Sequence, residues 1–269
     1  MCIQRPEPLG DRGRAHHVDE EEEASLGVRP AILSEQKRHE RAVTDETRSL
    51  KHRHYDGNGY EREANRTFKA LLSGKYRRPY AERRFFLFVD VVGSTAIAER
   101  LGALEAHRFL AAVFSAVAEP VELCRGEIYQ YVGDEIVITW VEADGVADAR
   151  ALRCLFAMRA ALAADASQFV QRFGVRPELR AALHLGEVIA GEVGTVRRAI
   201  VFHGDVMNTT GCLEQATREV GCLFIASAEA LRPIDPPPEI RTHDLGALAL
   251  RGRVQPIHAF CVEYSDGNV

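Results

Sequence analysis

The stretch FFLFVDVVGSTAIAERLG, residues 85–102, decides the fold of this chain. A continuous apolar run ends at Asp90, and Gly93-Ser94-Thr95 then precedes a segment with helical spacing. Such a run predicts a buried strand, and the Gly-Ser-Thr group can cap the helix that follows it. A helix N-terminus beside a strand-end carboxylate supplies backbone N–H groups that can bind phosphates.

A second carboxylate, Asp134, lies in EIYQYVGDEIVITW, residues 127–140, where two strand-like runs flank a Gly-Asp pair suited to a tight hairpin. An acid that ends a run as apolar as FFLFV is hard to explain by structure alone. We therefore interpret Asp90 and Asp134 as a metal-holding pair rather than as turn or cap carboxylates. Two carboxylates at adjacent strand ends can hold two divalent ions, Mg²⁺ or Mn²⁺, which suits phosphoryl or nucleotidyl transfer.

The order of elements from Arg84 onward predicts an α+β fold with a ferredoxin-like βαββαβ palm core and additional C-terminal strands. Gly102 is expected to break the first helical segment in two. Residues 179–194 read as a strand pair with glycines at its bends. The predicted elements are a strand at 85–91, a helical segment, the hairpin at 127–140, a second helix after Gly145, the pair at 179–194, and a strand entering a helix at 199–219.

Charge, cysteine content and apolar runs limit the classes of function that the chain can have. The net charge of -5 and pI near 6.1 argue against duplex nucleic acid as a partner. Six cysteines without CxxC spacing indicate reduced thiols in a cytoplasmic protein. The chain has no apolar run of about 18 residues, so no membrane segment is expected.

The chain divides into three predicted parts. Residues 1–60 carry charge runs and are expected to be disordered. Residues 61–83 hold a short amphipathic helix and a basic link. That helix is expected to pack on its own domain rather than pair with its copy, because about twelve residues are marginal for an autonomous helix pair. Residues 84–264 form the folded domain.

Five segments in order resemble the catalytic domain of class III nucleotidyl cyclases, over roughly residues 84–262. The resemblance implies an enzyme that converts ATP to cyclic AMP and pyrophosphate. It also implies a head-to-tail homodimer with two sites, each built from both chains. The segments are FVDVVGSTAIAERLG, YVGDEIVITW, ALHLGEVIAGEVG, GDVMNTT and LRGRVQPIHAF.

The resemblance assigns the metal site to one chain. Asp90 and Asp134 would hold two ions per site, and the backbone around Val91 and Gly93-Ser94-Thr95 would complete the ion and phosphate contacts. In relatives, one ion activates the ribose 3′-oxygen for attack on the α-phosphorus, and the other holds the triphosphate while pyrophosphate leaves. This is two-metal catalysis of an in-line displacement.

The base-reading positions depart from the family pattern. Gln130 and Val201 stand where relatives use a lysine and an aspartate or threonine to read adenine. A glutamine amide can bind adenine and, when rotated, guanine, whereas Val201 has no polar side-chain atom. The sequence therefore predicts ATP as substrate, with poor discrimination against GTP.

The position at which relatives carry a transition-state arginine also departs from the family pattern. Asn208 matches the ribose-orienting asparagine, but Cys212 stands where relatives carry an arginine that meets the α-phosphate. Losing such a group typically costs about 10² to 10³ in rate, which predicts weak activity. Arg218 lies ten residues beyond Asn208, too far to substitute without rearrangement. Arg251 and Arg253 fall near the position at which relatives carry a triphosphate-binding lysine, so either could bind the β- or γ-phosphate. An equal interpretation is that both are exposed arginines at the end of a strand, with no role in binding.

Other functions stay open at this point. The chain could instead be a cyclase-like, nucleotide-binding regulatory module, or the partner of a different cyclase in a heterodimer. A diguanylate cyclase is a third idea, because VGDEI resembles the GGDEF turn, but the GDVMN segment argues against it. His184 and His203 lie in predicted strands and are interpreted as core or rim histidines.

Overall fold

The computed structural model describes residues 74–195, 198–250, 253 and 255–265. The strands in this part of the chain are β1 (Tyr80–Val91), β2 (Glu127–Val132), β3 (Glu135–Val141), β4 (Leu179–Val193), β5 (Ala199–His203), β6 (Phe224–Ser227), β7 (Ile240–Leu248) and β8 (Ile257–Tyr264). The helices are α1 (Ser94–Leu101), α2 (Ala103–Leu123), α3 (Glu142–Val146), α4 (Arg150–Ala164), α5 (Ala166–Phe173), α6 (Asp205–Val220) and α7 (Ala228–Leu231). The predicted helix within residues 61–72 and Arg251 lie outside the described residues.

The strands form one sheet in the order β2-β3-β1-β4-β6-β8-β7, with β5 paired to β4. β1 runs antiparallel to both β3 and β4, while β4 and β6 are parallel. The order β2-β3-β1-β4, with helices between β1 and β2 and between β3 and β4, is the ferredoxin-like arrangement. The predicted fold class is confirmed, and β5 to β8 with α6 and α7 are the additional C-terminal elements.

β1 is buried on both faces, which explains its continuous apolar run. Phe85, Leu87 and Val89 pack into the main core with residues of α2, α4 and α5. Phe86 and Phe88 belong to a second cluster on the opposite face, which also contains residues of β5 and α6. Side chains alternate along a strand, so Asp90 lies on this second face.

Two glycines let α6 lie directly on β4. A Cβ atom on Gly204 would come within 2.8 Å of the Glu187 carbonyl oxygen. A Cβ atom on Gly186 would come within 3.0 Å of the Val206 side chain. The first turn of α6 is therefore held against the strand, which fixes the direction in which the helix crosses this face.

The structure differs from the predicted elements at β1 and β4 and agrees with them at Gly102. β1 begins at Tyr80, five residues before the predicted strand, because its first residues pair with β4 from Gly186 onward. The predicted strand pair at 179–194 is wrong, since β4 is one continuous strand whose glycines stay in the ladder. The predicted helix break is confirmed: Gly102 separates α1 from α2 with φ of 78°.

Arg84 is a buried cation in β1. Its guanidinium pairs with Glu127 at 2.7 Å and Glu82 at 2.9 Å, and Nε donates to the Thr139 hydroxyl at 3.0 Å. The Phe202 ring lies 4.6 Å from the guanidinium carbon. Burial alone would lower the pKa of Arg84, but the two carboxylates raise the pKa overall, so the buried group stays charged.

The expectation of reduced thiols is wrong for two cysteines. Cys222 and Cys261 form a disulfide, with their Cα atoms 6.0 Å apart. The antiparallel pairing of β6 and β8 brings these distant residues together, a juxtaposition that sequence spacing does not reveal. Cys124, Cys154 and Cys212 are not in disulfides. Within the described ranges, no helix combines the length and apolar character needed to span a membrane.

Candidate active site

Asp90 and Asp134 meet at one end of the sheet. Asp90 is the penultimate residue of β1, and Asp134 lies in the two-residue turn between β2 and β3, where Gly133 has φ of 64°. Asp90 is the cross-strand partner of Glu135, the residue after Asp134. The two carboxyl groups lie close enough for each to shift the pKa of the other. The structure thus brings the predicted pair together.

Ser94 supports this pair instead of capping its own helix. The N-cap of α1 is Gly93 in a left-handed conformation, with no side-chain cap hydrogen bond. The Ile97 N–H donates to the Gly93 carbonyl at 2.9 Å, and the Ser94 hydroxyl donates to Asp134. The expected side-chain cap is therefore wrong, because Asp134 is the acceptor that Ser94 meets. Thr95 is exposed beside it.

Two arginines converge on Asp90. Arg180, its cross-strand partner on β4, donates from Nε to Asp90 Oδ2 at 2.8 Å and to Glu214 Oε1 at 2.9 Å. Arg218, in the last turn of α6, lies 3.1 Å from Asp90 Oδ2 and 3.8 Å from Glu214 Oε1. Glu214 is buried on α6, facing the sheet. Sequence reasoning missed Arg180 and Glu214, since neither follows a recognisable turn.

Four carboxyl groups surround the two guanidinium groups. Burial raises the pKa of Asp90; the Arg180 hydrogen bond opposes this shift, and the neighbouring Asp134 carboxyl group adds to it. Burial would raise the pKa of Asp134, but the hydrogen bonds from Ser94 and Asp90 lower it overall. Burial, followed by the charges of Glu214, Asp90 and Asp134, raises the pKa of Glu135 to about 7. The carboxyl groups outnumber the guanidinium groups in this cluster, which favours the binding of an additional cation there.

The donor set fits a hard divalent ion that is shared with a ligand. Among the residues that the structure describes, no group of three or more His, Cys, Asp or Glu is arranged to hold a metal ion. Asp90 and Asp134 offer carboxylate oxygens at neighbouring positions, one at the end of β1 and one in the adjoining β2–β3 turn. Mg²⁺ is usually held by one or two carboxylates, with water and substrate phosphates completing the octahedron. This pair suits that mode rather than an all-protein cage.

The predicted base-reading residues lie on segments that touch. Gln130 is exposed on β2, beside a register shift in the β2–β3 ladder. Val201 is half-buried on β5. The rings of their sequence neighbours, Tyr129 and Phe202, have centroids 5.1 Å apart. β5, which pairs with β4, therefore contacts β2 through the residues next to Val201 and Gln130.

Helix α6 carries the other predicted residues. Asn208 is exposed, and Cys212, one turn further along, is half-buried. At the start of the helix, Arg253 forms an ion pair with Asp205 and contacts the Thr209 hydroxyl. Arg253 is thus engaged by protein groups at the N-terminus of α6.

The two histidines lie where the sequence suggested. His184 is buried on β4 and its Nδ1 lies 2.7 Å from the Ser227 hydroxyl. Burial lowers the pKa of His184 to about 4, so the ring is neutral. His203 is exposed at the end of β5. The interpretation as core and rim histidines is confirmed.

An acid pair beside the N-terminus of α1 can hold divalent ions and phosphate groups, which suits a domain that acts on nucleotides. The sequence model of the family described as "Adenylate and Guanylate cyclase catalytic domain" matches residues 81–263, and the chain belongs to this family. "Adenylate cyclase 2" of Rhizobium meliloti (strain 1021) is 43% identical over 190 residues, 71% of this chain and 52% of that protein. "Adenylate cyclase" of Anabaena cylindrica is 28% identical over 58% of this chain and 31% of its own length. The chain thus spans about half or less of these relatives.

Solved structures show the same fold. The adenylyl cyclase CyaB from P. aeruginosa has a TM-score of 0.61 at 20% identity, with 71% of this chain and 99% of that chain covered. The guanylyl cyclase Cya2 has a TM-score of 0.59 at 21% identity, with 71% of this chain and 96% of that chain covered. At such identities the likeness concerns the fold alone.

Proposed function

We propose that this chain is an adenylate cyclase, which converts ATP to cyclic AMP and pyrophosphate with two divalent ions at a homodimer interface. The observation that carries the proposal is the position of two acids side by side: Asp90 at the end of β1 pairs across strands with Glu135, the residue after Asp134 in the β2–β3 turn. Family membership and the 43% identical relative named adenylate cyclase support it.

In this proposal Asp90 and Asp134 hold Mg²⁺ or Mn²⁺, together with the Val91 backbone. When bound, such ions activate the ribose 3′-hydroxyl and neutralise charge on the leaving pyrophosphate. Arg180 holds Asp90 from β4, and Ser94 holds Asp134 from α1. Both carboxylates are thus oriented by neighbouring side chains, which limits the reorganisation needed during reaction.

The start of α1 provides the phosphate contacts in this scheme. The first N–H groups of a helix have no intrahelical acceptor, and they bind anions readily. Gly93, Ser94 and Thr95 form this start directly beside Asp134. Arg253 adds a cation near the first turn of α6, and Arg251 remains a predicted contributor from outside the described residues.

Gln130 and Val201 of a second copy read the base in the proposed dimer. The contact between their neighbours Tyr129 and Phe202 supports a joint role within one chain. The Gln130 amide can present a donor and an acceptor to adenine, or the reverse order to guanine. Val201 adds no polar side-chain group, so the proposal is ATP as substrate with GTP also accepted.

Asn208 orients the ribose, and Cys212 offers no positive charge at the α-phosphate. This combination supports a slow enzyme. It also favours a second candidate, a regulatory cyclase-like module or a heterodimer partner in which another chain supplies the arginine. Cys212 is the specific observation behind that alternative, since it is the family arginine position on α6.

Exposed apolar side chains near the base-reading segments support a dimer. Tyr131 and Val132 on β2 are 49% and 51% exposed, and Ile189 and Val193 on β4 are each 43% exposed. A second copy that covered these residues would remove apolar surface from water. The head-to-tail homodimer is the arrangement proposed here.

The test is a product assay on the full chain. Purified protein is incubated with Mn²⁺ and either ATP or GTP, and cyclic nucleotides are quantified for the wild type, Asp90→Asn and the exposed control Asp235→Asn. We expect cyclic AMP from the wild type and the control, a smaller yield of cyclic GMP, and a loss of at least tenfold in Asp90→Asn. Wild-type product no greater than that of Asp90→Asn would overturn the proposal in favour of the regulatory module.

A further inference from the structure

Arg218, at the end of α6, contacts the carboxylate of Asp90, one of the two proposed metal ligands. We propose that Arg218 is a mobile phosphate-binding residue, which pairs with Asp90 in the ion-free chain and turns to the triphosphate when ions and nucleotide bind. This inference rests on the proposed function, because it assigns a role within the same site.

The two arginines at Asp90 are held very differently. The Arg180 side chain is only 14% exposed and is fixed between two buried carboxylates, at 2.8 Å from Asp90 and 2.9 Å from Glu214. The Arg218 side chain is 56% exposed, and its contacts are longer, at 3.1 Å to Asp90 and 3.8 Å to Glu214. Arg218 can therefore leave Asp90 without breaking the buried pairs that Arg180 makes.

A metal ion and Arg218 compete for the same atom. Arg218 Nη2 and two Arg180 donors approach the same oxygen, Asp90 Oδ2, so an ion bound by Asp90 would compete with both arginines there. Arg180 keeps its second acceptor, Glu214, whatever occupies Asp90. Arrival of the ion therefore displaces Arg218 more readily than Arg180, because without Asp90 Arg218 keeps only the 3.8 Å approach to Glu214, whereas Arg180 keeps a 2.9 Å hydrogen bond to that residue.

The displaced guanidinium is well suited to a phosphate. It carries a fixed charge and several planar donors that can bind two phosphate oxygens at once. It comes from the same chain as Asp90, beside the ions that would hold the triphosphate. Arg218 therefore does not replace the arginine missing at Cys212, which the family arrangement places on the other copy.

A plainer role for Arg218 is a basic residue that stabilises the C-terminus of α6. That role accounts for its position in the last turn, before the Gly221 cap. It does not require the guanidinium to reach across to β1. The two roles predict different effects on ion and phosphate binding, so they can be separated.

The experiment uses the full chain with Arg218→Gln, Arg218→Lys, Asp90→Asn and the control Arg241→Gln, an exposed arginine on β7. Binding of Mn²⁺ alone is followed by electron paramagnetic resonance, and binding of tripolyphosphate in saturating Mn²⁺ by titration calorimetry. In Arg218→Gln we expect Mn²⁺ to bind several-fold more tightly and tripolyphosphate about ten-fold more weakly, the loss typical of one charged hydrogen-bond donor. Arg218→Lys should fall between Gln and wild type in both measurements.

The outcomes separate this inference from the proposed function. Opposite changes in the two affinities support the exchange of Arg218 from Asp90 to phosphate. Equal affinities in Arg218→Gln and wild type, or weakening of both, would overturn the inference alone if Asp90→Asn still abolishes Mn²⁺ binding. Mn²⁺ binding that does not depend on Asp90 would overturn the proposed metal site and this inference together. Unfolding curves confirm that the variants are folded.

Discussion

The Ser94 hydroxyl donates a hydrogen bond to the Asp134 carboxylate, joining the start of α1 to the turn between β2 and β3. Ser94 therefore connects the helix start that is proposed to bind phosphate with Asp134, the second acid of the pair. Hydrogen bonds of this kind from outside a metal's own ligands fix the ligand's orientation.

Replacing Ser94 by Ala should weaken Mn²⁺ binding by about tenfold or more, because loss of such a supporting hydrogen bond commonly costs about 10- to 100-fold in metal affinity or activity. The measurement is Mn²⁺ affinity, followed by the rate of cyclic AMP formation. Ser115→Ala is the matched control, since the Ser115 hydroxyl bonds only within α2, to the Ala111 carbonyl at 2.8 Å. Equal affinities in the two variants would count against the supporting role.

Introducing the missing charge at Cys212 should increase the rate. For Cys212→Arg we expect a rise approaching about 10² in kcat, since one preorganised charge-stabilising group is commonly worth about 10² to 10³. Cys212→Ser is the control for loss of the thiol. Steady-state kinetics with ATP and Mn²⁺ test this expectation, and an unchanged kcat in the arginine variant would refute the missing-charge account.

Stability should fall as the pH drops below neutrality because of His184. Its folded-state pKa of about 4 lies below the ordinary value of 6.5, so between these values the unfolded chain binds the extra proton. Stability from this group is therefore complete above about pH 6.5 and is lost progressively as the pH falls to about 4, by up to about 3 kcal/mol. Urea unfolding at pH 7.5 and 5 tests the slope. His184→Gln should unfold with a smaller pH dependence, and an identical dependence would exclude His184 as its source.

Removing the buried cation Arg84 should destabilise the domain strongly. Arg84→Met leaves Glu82 and Glu127 without their guanidinium partner, and breaking such a buried pair typically costs about 3 to 5 kcal/mol. The adjacent Arg83 provides the control, because its pair with Glu142 is solvent-exposed and such pairs contribute about 1 kcal/mol or less. Urea denaturation should therefore show a much larger loss for Arg84→Met than for Arg83→Met. Similar losses would contradict the buried-pair argument.

The sequence predicted the acid pair because each acid follows a strand-like run with a readable turn. Asp90 ends an apolar segment, and Asp134 follows Gly133 at a hairpin. Antiparallel pairing of β1 and β3, which the β2–β3 hairpin alone does not imply, then places them together. Local patterns thus identified the two acids and their turns, whereas their meeting depends on the pairing of β1 with β3.

The arginines at Asp90 could not be predicted in the same way. Arg180 reaches Asp90 through the β1–β4 register, and that register links residues 90 positions apart. The spacing of Arg218 and Asn208 along α6 does not predict the contact of Arg218 with Asp90, because Asp90 lies on the sheet against which α6 packs. The disulfide between Cys222 and Cys261 likewise depends on strand pairing across 39 residues. Such contacts follow from tertiary packing, which spacing does not encode.

The alternation along β1 has a consequence for how this strand finds its place during folding. Its flanking valines, Val89 and Val91, belong to the apolar layer beneath the helices, whereas Asp90 lies on the other face. A slip of one position would exchange the two faces and force an ionised side chain into that layer, away from both guanidinium groups. Asp90, which is proposed to bind the metal ions, therefore also disfavours misaligned pairing of this strand.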